Sequence, residues 1–359
     1  VRRFAPEAHG SGIPQVEGIL SSAEPIRWQR LLPVKFFSSL LAIAPGLLLG
    51  REGPTIHMGA ACGEAVAGAG NSENRKTLIA TGVAAGLAAA FNAPLAGIML
   101  VLEEMREDFT VHARSFTCII IGAVSAVVVS NSIFGQGPDL PLPQVDNAPL
   151  PELSLFLLLG VVIGAAAIVF NRSLLFAVRA FNQLPASALY AAAAGVGVLI
   201  AFLLWAFPTA VGGGEHLVEA ISHTHTAAGV LLALFVLRLC LSVLCYATGV
   251  AGGIFAPLLA LGALLGLLFN ATAGTLLPGL ESTPSMFTIA AMAGLFAGCV
   301  RAPLTGIILI IELTSALSAT LPIIITCLSA SLVASALGGE PIYRELRNLS
   351  AAAATEPRG

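Results

Sequence analysis

The sequence predicts an all-α, multi-pass membrane protein of two repeats, and three observations carry that prediction. Hydrophobic residues make up 57% and charged residues 10% of the 359 residues, and mean hydropathy is +0.90, too apolar for a soluble chain. Apolar stretches follow one another at about 28–48, 54–68, 76–92, 94–105, 112–134, 152–182, 185–207, 227–246, 255–273, 285–300, 303–314 and 318–337. Many fall short of the ~20 residues of a perpendicular span and many are bounded by Gly or Pro, which predicts short, tilted, broken helices; interrupted backbone at membrane depth lines cavities and binding sites. Finally, Phe91-Asn92-Ala93-Pro94-Leu95-Ala96-Gly97-Ile98, ending in Leu102-Glu103, recurs as Val300-Arg301-Ala302-Pro303-Leu304-Thr305-Gly306-Ile307, ending in Ile311-Glu312. Upstream, Gly53-Pro54-x4-Gly59 recurs loosely as Ala256-Pro257-x4-Gly262, in the same order, which indicates an internal duplication.

Net charge is -3 with a pI near 6.1, and no basic run with interleaved aromatics exists, which excludes a nucleic-acid partner. Cys62, Cys118, Cys240, Cys245, Cys299 and Cys327 all lie in apolar stretches without a CxxC or a His at metal-ligand spacing. They read as small buried hydrophobes, and no metal is expected. Val1-Arg2-Arg3 leads into polar residues rather than an apolar signal region.

In chain order, Gly10-Ser11-Gly12-Ile13-Pro14 is a glycine loop handing over to a helix, with Ser11 near the N-cap and Pro14 in the first turn. It reads either as an ordinary capped helix or as backbone approaching a ligand. Gly50-Arg51-Glu52-Gly53-Pro54 lies between two long apolar stretches. Its carboxylate sits where a helix starts inside a membrane, a place that suits an anion, either Glu52 itself or a soluble ion replacing it. Leu102-Glu103-Glu104-Met105-Arg106 ends an apolar helix and reads, by itself, as solvated charge at a membrane edge.

A proline-rich linker over 136–151 separates 1–135, the first transmembrane repeat, from 152–340, the second; 341–359 reads as a C-terminal cytoplasmic helix and tail. Only 53 residues precede Pro54, whereas about 100 lie between the linker and Pro257. The first repeat is therefore expected to lack roughly two N-terminal helices. Gly252-Gly253-Ile254-Phe255-Ala256-Pro257 repeats the glycine-to-helix logic, either as a hinge or as free N–H groups of Ile254 and Phe255 facing an anion. Tyr343 follows the last membrane segment and reads alone as an interfacial anchor. Arg238 inside an apolar run reads as a pairing or capping residue, and Arg75 with Lys76 as a solvated loop. His57, His112, His216, His223 and His225 take no role.

His9 to Pro14, Gly50 to Pro54, Gly253 to Pro257 and the late Tyr343, in that order on a duplicated membrane chain, resemble the signatures of the CLC chloride channel and chloride/proton antiporter family. The resemblance is to its bacterial antiporters and runs from Val1 to about Leu349. It implies the CLC fold of two inverted repeats, a homodimer with one pathway per subunit in a bacterial cytoplasmic membrane, and chloride and protons as substrates with no cofactor and no enzymatic chemistry. By it, chloride is held by the hydroxyls of Ser11 and Tyr343 and by backbone at Gly53, Ile254 and Phe255. Glu52 is the gate, Glu104 the internal proton-transfer group, and Glu17 a hydrogen-bond partner of the proton acceptor. Two nearby carboxylates keep a proton between them. The alternative is a passive voltage- or pH-gated chloride channel, which keeps Glu52 but needs no Glu104. A fluoride-selective relative fits the Gly10 to Pro14 pattern less well, and a hydrolase using Ser11 with His9 lacks a nucleophile elbow and an orienting third group.

Overall fold

The computed structural model describes residues 1, 4–22, 26–68, 72–106, 111–135, 140, 145, 147–214, 217–218, 226–277 and 279–355. Among them run fourteen α-helices: α1 (Ile13–Ser22), α2 (Trp28–Ile43), α3 (Glu52–Ala67), α4 (Ser72–Phe91), α5 (Pro94–Glu104), α6 (Ala113–Phe134), α7 (Leu153–Asn182), α8 (Ala186–Ala206), α9 (Ala228–Ala247), α10 (Phe255–Leu276), α11 (Pro284–Val300), α12 (Pro303–Thr314), α13 (Thr320–Ala336) and α14 (Ile342–Thr355). Six are long and apolar enough to cross a membrane: α6, α7 with its lead-in from Leu150, α8, α9, α10, and α13 with its lead-in from Leu317. The chain is a multi-pass membrane protein. The predicted linker lies mostly outside the described residues, as do His216, His223, His225 and the last four residues of the tail.

Helix ends follow the local chemistry. The stretch expected to run to 48 stops as helix at Ile43, because Gly46 turns the chain with φ +94° and donates to Ile43 O at 2.9 Å. α3 opens two residues earlier than its apolar run, on Glu52, since an acidic residue is favoured in a first turn. α5 and α12 both start on a Pro, which needs no partner for an N–H it lacks.

Small residues set the packing, as they do where lipid supplies no hydrophobic drive between helices. A methyl on Gly59 of α3 would overlap the Gly82 carbonyl of α4, and one on Gly82 would overlap the Gly59 carbonyl. In the second copy Gly262 and Gly266 of α10 sit in the same way against the Ala291 and Phe287 carbonyls of α11. α11 is buried from Ser285 to Val300 and forms the apolar centre of that half. Replacing Gly82 by Ala drives a Cβ into backbone that cannot yield as a side chain can. The expected result is a loss of about 1–3 kcal/mol or more, read as a lower thermal midpoint and a smaller monodisperse fraction in detergent.

The two copies meet through self-matching contacts. Gly50 and Gly253, equivalent positions in the duplicated motifs, exchange reciprocal N–H to carbonyl bonds of 2.8 Å each. The carboxylates ending α5 and α12 each bond to the other helix's first turn, so these two helices lie antiparallel. A contact made twice between equivalent residues is a two-fold, isologous contact. An axis that reverses helices in this way relates inverted repeats.

Two readings of the sequence are corrected. Cys62 and Cys240 are exposed on the outside of the helices, so only Cys245, Cys299 and Cys327 are buried. Arg75 is not a solvated loop residue: its Nε donates to both carboxylate oxygens of Glu64, at 3.0 and 2.7 Å, with both side chains largely covered. The α3–α4 hairpin brings residues 11 apart in sequence side by side, which no local pattern shows.

Candidate functional site

Three helices begin at one place. The first ladder donors are Val16 to Gly12 O in α1, Thr55 to Arg51 O in α3 and Leu258 to Ile254 O in α10, each at 3.0 Å. The amides before them, including those of Ile13, Glu52, Gly53, Ile254 and Phe255, have no acceptor in their own helix ladder and carry the positive ends of the macrodipoles. The connecting loops are tied together by Gly252 N donating to Gly10 O at 3.0 Å and by the Gly50–Gly253 pair.

The glycines allow this approach. A methyl on Gly53 would lie 2.5 Å from Ser11 Oγ and 2.8 Å from the Ser11 carbonyl oxygen, and one on Gly253 would lie 3.1 Å from the Gly53 nitrogen. Gly12 has φ +103°, and a side chain there would also strike the His57 ring.

Around this meeting point polar and aromatic side chains are buried together. Glu52 is fully buried at the first position of α3, and its counterpart at the first position of α10 is Phe255, also fully buried. Phe255 stacks on Tyr343 with ring centroids 6.2 Å apart and 22° between planes, and also meets Phe91 and Phe296. Among the described residues, the hydroxyls of Ser11 and Tyr343 are buried without a hydrogen-bond partner. Buried polar atoms are nearly always satisfied, so two orphaned hydroxyls beside helix amides without ladder acceptors make this a candidate site for an anion. Tyr343 stands within electrostatic reach of Tyr246, Glu104, Glu52 and Glu17.

Toward Glu104 the chain forms a polar cavity of about 60 Å³ lined by Glu17, Glu103, Glu104, Arg106, Val300, Arg301, Pro341, Arg344 and Arg347. Glu104 and Glu17 face this cavity together, close enough for their charges to interact, and Arg347 Nη1 approaches Glu17 Oε2 at 3.7 Å. Glu104 is thus part of a carboxyl pair rather than one of two solvated charges.

The structure therefore brings Ser11, Gly53, Ile254, Phe255 and Tyr343 together with Glu52, and gathers Glu17 and Glu104 at the second cavity. Arg238, fully buried, donates to the carbonyls of Ala210, Val211 and Gly212, as a capping residue does. Among the described residues no group of three or more His, Cys, Asp or Glu could hold a metal.

Lys35 and Tyr246 were not singled out from sequence. Lys35 is fully buried on α2, and its Nζ donates to Ala8 O at 3.1 Å and Gly10 O at 2.8 Å. Gly10 O thus accepts from both Lys35 and Gly252. The available signal was a lone cation inside the apolar run Leu31 to Phe37. The Tyr246 hydroxyl lies against the Gly10 loop, 3.6 Å from where a methyl on Gly10 would sit. In Lys35→Met the Ala8 carbonyl loses its Lys35 donor and Gly10 keeps one of two. The expected cost is about 1–3 kcal/mol per unsatisfied buried group, seen in thermal unfolding together with weaker chloride binding by calorimetric titration.

The sequence profile of the voltage gated chloride channel family matches residues 1–335. This chain belongs to that family. It is 45% identical over 352 residues, 96% of this chain and 75% of the relative, to the H(+)/Cl(-) exchange transporter ClcA of Vibrio parahaemolyticus. Against the protein of the same name from Salmonella arizonae it is 42% identical over 349 residues, 96% of this chain and 74% of the relative. A slow cyanobacterial Cl-/H+ antiporter solved by crystallography superposes with a TM-score of 0.93 at 38% identity, covering 99% of this chain and 84% of that one. A eukaryotic CLC transporter shares the fold, with a TM-score of 0.80 at 23% identity over 97% of this chain and 62% of that one.

Proposed function

We propose that this chain exchanges chloride for protons across a bacterial inner membrane, as a homodimer with one pathway in each subunit. The observation that carries the reading is the convergence of three helix N-termini on the orphaned Ser11 and Tyr343 hydroxyls, with buried Glu52 at one of those termini. Partial charges of this kind bind an anion and release it, whereas a full charge in direct contact holds it too tightly; Lys35 keeps its charge one layer back, on carbonyls. The names of the relatives at 42–45% identity support the same reading.

The cycle follows from one residue with two positions. Deprotonated, Glu52 competes with chloride for the first-turn amides of α3 and blocks the path. Protonated, it loses its attraction for them and yields to chloride. The Glu104–Glu17 pair takes up or delivers the proton on the other side, and Tyr343 stands between. Because proton and anion bias the same side chain, their movements are linked. The two repeats, 1–135 and 152–340, supply the two sides of the anion site, joined by 136–151.

In vesicles holding equal chloride on both sides, with the potential clamped by potassium and valinomycin, acidifying the exterior should drive chloride outward. No net chloride movement under that pH gradient would favour the passive channel.

A further inference from the structure

The duplicated motif contains two acidic residues that this cycle does not use. Glu103 Oε1 accepts from Leu304 N at 3.1 Å, and its Oε2 from Thr305 N at 2.7 Å and Thr305 Oγ1 at 2.9 Å. Glu312 Oε1 accepts from Leu95 N at 3.1 Å and its Oε2 from Ala96 N at 2.8 Å. Each carboxylate thus caps the first turn of the other copy's helix. Neither helix has a side-chain cap of its own, since Ala93 and Ala302 occupy the N-cap positions. Pro94 to Glu103 and Pro303 to Glu312 share one spacing, nine steps or about 14 Å of helix. Equal spacing on antiparallel helices lets both caps form at once.

We propose that Glu103 and Glu312 are a reciprocal latch between the repeats and serve as positioning residues for Glu104, rather than carrying protons themselves. α5 is a rod of 11 residues held at its start by Glu312 and near its end by Glu103, and Glu104 is the next residue. Glu103, with three donors on its two oxygens, is committed as an acceptor, whereas Glu104 turns into the polar cavity with Glu17. Glu312 meets the opposite end of α5, about 15 Å of helix from Glu104, so it can influence proton transfer only through the rod. Displacement of a reacting group by about 1 Å can cost up to 10²-fold in rate.

The proposal rests on the exchange reading, and two measurements on the reconstituted full chain separate the two. The first is the ratio of proton to chloride flux. Glu312→Ala should lower that ratio by about half or more, and Glu312→Gln and Glu103→Gln, each of which keeps one acceptor oxygen, should lower it by less, with proton flux retained in both. The second is amide exchange at Leu95 and Ala96, expected to quicken about five- to tenfold in Glu312→Ala, the size of a lost cap. If Glu312→Ala fails to fold, Glu312→Gln supplies both readouts. An unchanged flux ratio in the Glu312 variants, unchanged exchange at Leu95 and Ala96, or loss of all proton flux in Glu103→Gln overturns the latch. Absence of coupled flux in the unmodified chain instead overturns the exchange reading, and the amide exchange then decides the latch alone.

Discussion

In Glu104→Val, chloride flux should persist and proton flux should disappear. Glu104 lines the polar cavity with Glu17, but it is not among the groups that meet at Ser11 and Tyr343. The anion path therefore keeps its amides and hydroxyls, while the proton loses its relay at the inner end. Removing a positioned acid–base group costs about 10²–10⁴-fold in the transfer it serves, so proton flux should fall below detection in a vesicle assay. Thermal stability should change little, because Glu17 keeps Arg347 at 3.7 Å as its ionic partner and loses a like-charged neighbour when Glu104 is removed. Proton flux surviving in Glu104→Val would remove Glu104 from the relay.

Glu52→Ala should uncouple the protein from the other side. Glu52 opens α3 beside Ser11, and among the described residues its carboxylate is the one acid buried at the meeting of the helix N-termini. Without it the first-turn amides of α3 are open to chloride whatever the pH. In the unmodified chain, chloride transport should rise on acidification, because a protonated carboxyl no longer competes for those amides. In Glu52→Ala the rate should be flat across the same pH range and proton flux absent. A variant that still moved protons with chloride, or kept its pH dependence, would show that the gate lies elsewhere.

Most of the helices were legible in the apolar runs, since chain buried in lipid must satisfy its backbone internally. The glycine loops that start helices were legible too, because glycine followed by Pro in a first turn marks a helix start at any depth. What escaped were features that depend on distant residues. Lys35 looks like an isolated cation until the Gly10 loop folds onto it. Arg75 looks solvated until the α3–α4 hairpin places it on Glu64. Glu103 looks like one of two membrane-edge charges, and only the antiparallel pairing with α12 turns it into a cap while its neighbour Glu104 joins Glu17. The duplication showed that the motif occurred twice; the direction of the copies needed the Gly50–Gly253 pair and the crossed caps.

The most direct test of coupled exchange uses vesicles loaded with concentrated chloride, diluted into a weakly buffered medium low in chloride, at equal pH and with the potential clamped by potassium and valinomycin. Exchange predicts that outward chloride movement draws protons inward and makes the medium alkaline until a protonophore lets them return. Chloride leaving with no change in external pH would contradict it.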